Sequence, residues 1–202
     1  GSGVLCVGVS QLRDPYLDIR YRSEMASVGS LDTKLSGLNE LTAILDEVGD
    51  GEDQNGLIEA QLSDLLKTLQ NLNVNAGQDG YDSQVRSSAD ALVTLFHSAA
   101  KQLQEVYDNT VDHLEQDIDT VNGILQDIRD LNDSIRKSEI HGDSALEQRD
   151  ERNRKIDELS QYMKIDVTYT MENIGAGRSV EKLTIKLRAN GKDAIEELIP
   201  QV

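Results

Sequence analysis

The run from Tyr81 to Met163 constrains this chain more than any other stretch. Apolar side chains fall at Val85, Ala89, Leu92, Phe96, Ala99, Leu103 and Val106, in alternating steps of four and three. That seven-residue repeat draws a narrow stripe along one helix face, the pattern of a supercoiled seam. Val106, Thr110, Leu114 and Ile118 then follow in successive steps of four. Such an insertion is a stutter, which locally unwinds a left-handed supercoil. The alternation resumes through Val121, Leu125, Ile128, Asn132 and Ile135, with no proline and with Gly123 as the one glycine before Gly142. The pattern predicts a helix of about sixty residues, about 90 Å long at 1.5 Å per residue. It stops at His141-Gly142-Asp143-Ser144, and a second helix doubles back along it. A helix of this length far exceeds the usual globular one and predicts a rod.

A rod has a slender core, and the composition agrees. The 202 residues contain no Trp, Phe96 as the sole Phe, and 3 % aromatics. The core must come from Leu, Ile, Val and Ala. The formal charge of −17 argues against nucleic acid, whose phosphates it repels, and against acidic membrane surfaces. No apolar run is long enough to span a bilayer. Cys6 stands alone, so no intramolecular disulfide is possible, and it reads as an incidental small apolar residue. Gly1-Ser2 reads as a cloning remnant.

In chain order, residues 1–13 read as an extended lead-in. Asp14-Pro15 then opens a helix, with Asp14 as N-cap and Pro15 in the first helical position. That helix is expected to reach about Glu47 and to bury one face, through Leu17, Tyr21, Met25, Val28, Leu31, Leu35, Leu38, Leu41, Ile44 and Leu45. Asp53-Gln54-Asn55-Gly56 looks like part of a calcium loop. The first ligand position would be Gly51 and the closing glutamate position Leu62, so the stretch reads as a solvated linker. Leu57 to Leu72 is a short helix with Leu62, Leu65, Leu66, Leu69 and Leu72 inward. After the long helix, Gly142 suits a left-handed helix end, and Asp143 or Ser144 caps a helix running to Met163. Asp150/Arg154 and Glu151/Lys155 are candidate four-apart ion pairs.

From Ile165 the period changes to two. Ile165, Val167, Tyr169 and Met171 form one apolar strand face, and Leu183, Ile185 and Leu187 a second. Gly175-Ala176-Gly177 reads as a hairpin turn and Asn190-Gly191 as another tight turn. Asp193 to Ile199 is either a helical turn or a third strand. Two strands alone are marginal in water, which predicts a β domain that continues past residue 202. The expected division is a lead-in over 1–13, an elongated helical bundle over 14–164, and the start of a β-rich outer domain over 165–202.

No catalytic constellation is visible. His97 and His113 lie sixteen residues apart on one helix, about 24 Å along its axis, and cannot share a metal. His141 sits at a helix end. Asp108, Asp112, Asp117, Asp119, Asp127, Asp130 and Asp133 read as a wet helix face. No nucleophile stands beside a base, and no glycine-rich loop cradles phosphate. The reading is a non-enzyme with no cofactor and no metal. One polar feature stands out in the returning helix. Between Leu146 and Ile156 no apolar side chain occurs. Either Arg149 or Arg152 bridges acids or carbonyls at the end of the long helix, or this is a solvated charged face. Glu139, Gly142, Asp143, Ser144, Arg149, Asp150 and Arg152 are the candidates for bracing the turn.

Several stretches together resemble a known family. They are Leu131-Asn132-Asp133-Ser134-Ile135, Glu139-Ile140-His141-Gly142-Asp143-Ser144-Ala145-Leu146, Arg149-Asp150-Glu151-Arg152-Asn153 and Asp157-Glu158-Leu159-Ser160. Asp14-Pro15-Tyr16-Leu17-Asp18 and the leucine-rich Leu57 to Leu72 agree. The resemblance is to the flagellar hook-associated protein 1 family, and it runs from about Val4 to Val167. It implies an axial adaptor of the bacterial flagellum that joins hook to filament. The implied partners are hook subunits and the second junction protein or filament subunits. It also implies export through the flagellar secretion apparatus to a place outside the cell. Family members carry further terminal segments that pair as an inner coiled coil; without them the expected state is a monomeric core, with self-assembly reserved for the full-length form. The rival readings are a coiled-coil adaptor acting as a dimer and another axial protein of the same apparatus.

Overall fold

A computed structural model describes residues 14–45, 56–175, 177–188 and 196–199. The fold is mainly helical. Four helices, α1 (Pro15–Leu45), α2 (Leu57–Val74), α3 (Tyr81–Ile140) and α4 (Leu146–Tyr162), precede three strands, β1 (Ile165–Gly175), β2 (Arg178–Leu187) and β3 (Glu196–Ile199). The long helix is continuous over 60 residues. The expected lead-in over 1–13 with Cys6, the linker residues Asp53-Gln54-Asn55 and the turn Asn190-Gly191 lie outside the described residues.

Local chemistry sets the helix ends. The backbone N–H of Tyr16 donates to Asp14 Oδ1 at 2.9 Å, which caps α1 as Asp14-Pro15 predicts. At the end of α3, Gly142 has φ +90°. The N–H of Asp143 reaches back to Ser138 O and that of Gly142 to Glu139 O, both at 3.0 Å. This paired arrangement satisfies carbonyls that the helix end leaves free, and it needs a residue without Cβ at the left-handed position. The start of α4 differs from the expectation. Its N-cap is Ala145, with φ 48° and no side-chain cap bond. Asp143 Oδ1 instead accepts from the N–H of Ala145 at 3.2 Å, so the carboxylate orders the turn rather than the helix.

The chain divides into two compact units, one made of Gly1–Asp32 and Gln116–Val202, the other of Thr33–Glu115. In the first, β1 and β2 pair antiparallel from Ile165 opposite Leu187 to Gly175 opposite Arg178. β3 pairs with the other side of β2, in the order β1-β2-β3. Of the two readings of this stretch, the described residues Glu196–Ile199 form a third strand. The core joins Ile124 and Ile128 of α3, Ile156 and Leu159 of α4, and Leu183 and Ile185 of β2. The strands thus share apolar packing with the helices, and the change of period at Ile165 falls inside one packed unit. Ile124 lies beside the expected stripe of Val121, Leu125 and Ile128, because both α4 and the sheet cover this part of α3.

The second unit has a different character. Among its described residues no apolar side chain is buried. Gln61 Nε2 of α2 donates to Ser88 O of α3 at 3.2 Å, and Ser88 Oγ donates to Asp64 Oδ2 at 2.6 Å. Leu35, Leu38, Leu62, Leu66 and Leu69 are all exposed. The expected burial of one face along α1 is corrected at Leu35, Leu38 and Leu41, and that of the α2 leucines at Leu62, Leu66 and Leu69, whereas Met25, Ile44, Leu65 and Leu72 are half-buried. Leu17, Tyr21, Val28 and Leu31 are exposed as well, and the buried positions described on α1 are Arg22 and Ala26. A period defines a face, but burial needs a partner to cover it.

Candidate functional site

The turn between α3 and α4 and the strand β2 hold a partly buried cluster of arginine and glutamate. α4 places Arg149 and Arg152 three residues apart, hence on one face. Arg149 Nη2 pairs with Glu139 in the last turn of α3, and Arg149 Nη1 donates to Glu181 Oε2 at 2.6 Å. Arg149 Nε donates to the carbonyl of Ser144 at 3.1 Å. Arg152 Nη2 pairs with Glu181 Oε1, and Arg152 Nη1 donates to Asn132 Oδ1 at 2.9 Å. The backbone N–H of Glu181 donates to Glu139 Oε2 at 2.8 Å, closing the ring. Tyr169 lies with its ring centroid 5.5 Å from Arg152 Cζ, and its hydroxyl donates to Asn153 Oδ1 at 2.9 Å. One network thus ties the end of α3, the turn, α4 and the sheet.

The electrostatics follow from burial and pairing. Burial alone would push the Glu181 carboxyl up, but Arg152 and Arg149 outweigh it and hold it below the ordinary 4.5. Burial would likewise lower Arg149, yet Glu181 and Glu139 raise it above its ordinary value. Further along α4, a hydrogen bond to Asp127 holds Lys155 above its ordinary value against desolvation, with help from Glu158. Lys155 therefore pairs with Asp127 at 2.9 Å and Glu158 at 3.6 Å, and Arg154 pairs with Glu151, a different set from the four-apart pairs expected.

Of the residues singled out from sequence, the structure brings Glu139, Ser144, Arg149 and Arg152 into one network. Gly142 and Asp143 shape the turn through φ and a side-chain acceptor, and Asp150 lies on the exposed side of α4. Sequence reasoning missed Glu181, Asn132 and Tyr169. No periodicity signals Glu181, since its partners lie about thirty to forty residues away. A second link ties α1 to α4: Arg22 Nε donates to Asp157 Oδ1 at 2.7 Å, with Arg22 almost wholly buried. His97 and His113 are exposed, and His141 Nδ1 lies 2.7 Å from Lys137 O. Among the described residues no group of three or more His, Cys, Asp or Glu is placed to hold a metal ion, and no helix is long and apolar enough to cross a membrane. The arrangement is chemically a brace, in which charge-assisted hydrogen bonds are made between elements rather than offered to a reacting group.

Comparison with known proteins accords with this picture. Residues 38–192 match the family described as flagellar hook-associated protein FlgK helical domain. The chain belongs to this family. The matched FlgK helical domain includes Asn132, Glu139, Arg149, Arg152 and Glu181, so the whole arginine–glutamate network lies inside it. Flagellar hook-associated protein 1 of Bacillus subtilis (strain 168) is 30 % identical over 181 residues. The alignment covers 90 % of this chain and 35 % of the relative, so the chain spans about a third of that protein's length.

Proposed function

We propose that this chain is a structural part of the bacterial flagellum, an axial adaptor that joins hook to filament. Neighbouring copies pack side by side and pass torque and bending from one segment to the next. Its partners are hook subunits on one side and the second junction protein or filament subunits on the other. It works outside the cell, reached through the flagellar secretion apparatus, and its role is mechanical rather than catalytic. A helical body over residues 14–164 leads into β-rich structure from residue 165. Glu139, Gly142, Asp143, Ser144, Arg149, Asp150 and Arg152 brace the turn between α3 and α4.

Membership of the FlgK helical-domain family supports this reading. The observation that carries it is the apolar surface of the unit Thr33–Glu115. Leu38 is 62 % exposed and Leu66 58 %, with no buried apolar side chain among that unit's described residues. Extensive exposed apolar surface marks association. A subunit built to sit among neighbours leaves such faces for them to cover.

The test replaces the matching segment of the Bacillus subtilis relative with this chain, in cells lacking their own copy. Filaments on hooks and restored swimming are expected. A second chimera carries Leu38→Lys and Leu66→Lys, both at exposed positions; it should be exported and folded but leave hooks bare. A folded, exported first chimera that adds no filament would overturn the junction role. Normal filaments on the second would overturn the assignment of the leucine faces.

A further inference from the structure

A groove runs between α1 and the sheet within the unit made of Gly1–Asp32 and Gln116–Val202. It has two lobes, of about 180 and 360 Å³, which share Ile19, Arg22 and Val167 in their walls. Three observations bear on what it holds.

The first is its place against β1. Ile165, Asp166, Val167 and Thr168 all line the larger lobe. Successive strand side chains point to opposite faces, so four consecutive residues can border one cavity only along the strand's edge. In the order β1-β2-β3, β1 pairs with β2 on one side, and among the described residues no strand pairs with its other side. An unpaired edge presents a row of backbone N–H and C=O groups, the template on which a further strand is added.

The second is a pair of unmet donors. Arg22 is 4 % exposed and Arg152 2 %, and both line the smaller lobe. Arg22 Nη2 and Arg152 Nε are buried and reach no acceptor. Buried cationic donors without acceptors are costly, and few are tolerated in a folded protein.

The third is charge. Arg22 already faces Asp157, Arg149 and Arg152 already face Glu139 and Glu181, and Arg188 faces Asp166. Asp18 adds a further carboxylate to the wall. The buried guanidinium groups each face a carboxylate, and Lys186, which also lines the larger lobe, is exposed to solvent; a neutral oxygen would satisfy a buried donor without setting a further charge beside those carboxylates. Ile19 and Val167 supply apolar contact for the body of the ligand.

We propose that this groove binds an uncharged, extended peptide segment of another protein molecule, which adds a strand to the edge of β1 and gives a backbone carbonyl to Arg22 or Arg152. The main-chain ladder supplies most of the affinity, and the two guanidinium groups fix the register. The site is separate from the exposed leucine faces of the other unit, so it stands whether or not those faces mediate assembly.

The test is a nuclear magnetic resonance titration of the whole chain, labelled with ¹⁵N, with a capped pentapeptide of alternating threonine and valine. The expected result is saturable shifts confined to the amides of Ile165–Tyr169 and to the Arg152 Nε–H, with slowed hydrogen exchange at those amides. The same peptide N-methylated at alternate residues keeps its side chains but loses two ladder donors, and should bind about tenfold more weakly. Acetate and inorganic phosphate should give no saturable shift at Arg152. Arg22→Lys keeps the charge beside Asp157 but removes the free Nη2 donor, and should weaken binding about threefold. If that variant fails to fold, the N-methylated peptide decides alone. Equal binding of the two peptides, or an Arg152 response to acetate or phosphate that exceeds the peptide's, would overturn the proposal, as would shifts spread elsewhere.

Discussion

Glu181→Gln isolates the brace. Glu181 accepts from both Arg149 and Arg152 with a side chain only 14 % exposed. The amide keeps one acceptor oxygen but no charge. Arg149 retains Glu139, whereas Arg152 retains only Asn132 and the Tyr169 ring as partners. Removing one member of a buried pair costs about 3–5 kcal/mol when the other charge is left unpaired. The retained acceptor and the surviving Glu139 pair place the expected loss at the lower end, about 3 kcal/mol. At about 2–4 °C per kcal/mol for a chain of this size, thermal unfolding followed by circular dichroism should fall by roughly 6–12 °C. Arg154→Ala is the control, since Arg154 pairs with Glu151 on the exposed side of α4 and should cost about 0–1 kcal/mol. A shift for Glu181→Gln no larger than that of the control would show that the network is ornament on a fold held by its apolar core.

The same carboxylate sets a pH dependence. The folded state holds Glu181 below its ordinary 4.5, so its contribution is fully present above that value and is lost as pH falls through the depressed folded value; urea midpoints measured downward from pH 5 should drop, and less so in Glu181→Gln. Gly29 is a packing test: a Cβ there would lie 2.4 Å from the carbonyl of Gln161, so Gly29→Ala must force α1 away from α4 and should cost about 1–3 kcal/mol in chemical unfolding. Burial predicts a contrast between two truncations. Ile156→Ala removes a wholly buried side chain and should cost about 2–5 kcal/mol, whereas Leu66→Ala, at an exposed position, should stay within about 0.5 kcal/mol in the isolated chain.

Sequence alone determined the local decisions. The unbroken seven-residue rhythm gave a single helix to α3, because every step along it keeps the apolar face aligned and nothing interrupts the backbone ladder. Asp14-Pro15 started α1, and Gly142 ended α3 by accepting a left-handed φ. The alternation after Ile165 set two strands. Each of these depends on residues within a few positions of one another. Tertiary structure decided what depends on distance. It joined Glu181 to Arg149 and Arg152, because an ion pair carries no period that a sequence could display. It moved the cap of α4 to Ala145, where packing of the turn holds an alanine in a conformation its side chain disfavours. It also chose which apolar faces are covered. The same stripe of leucines is compatible with a buried core or with a surface awaiting a neighbour, and only the position of other elements distinguishes them: α4 and the sheet cover Ile124 and Ile128, while Leu38 and Leu66 remain in solvent.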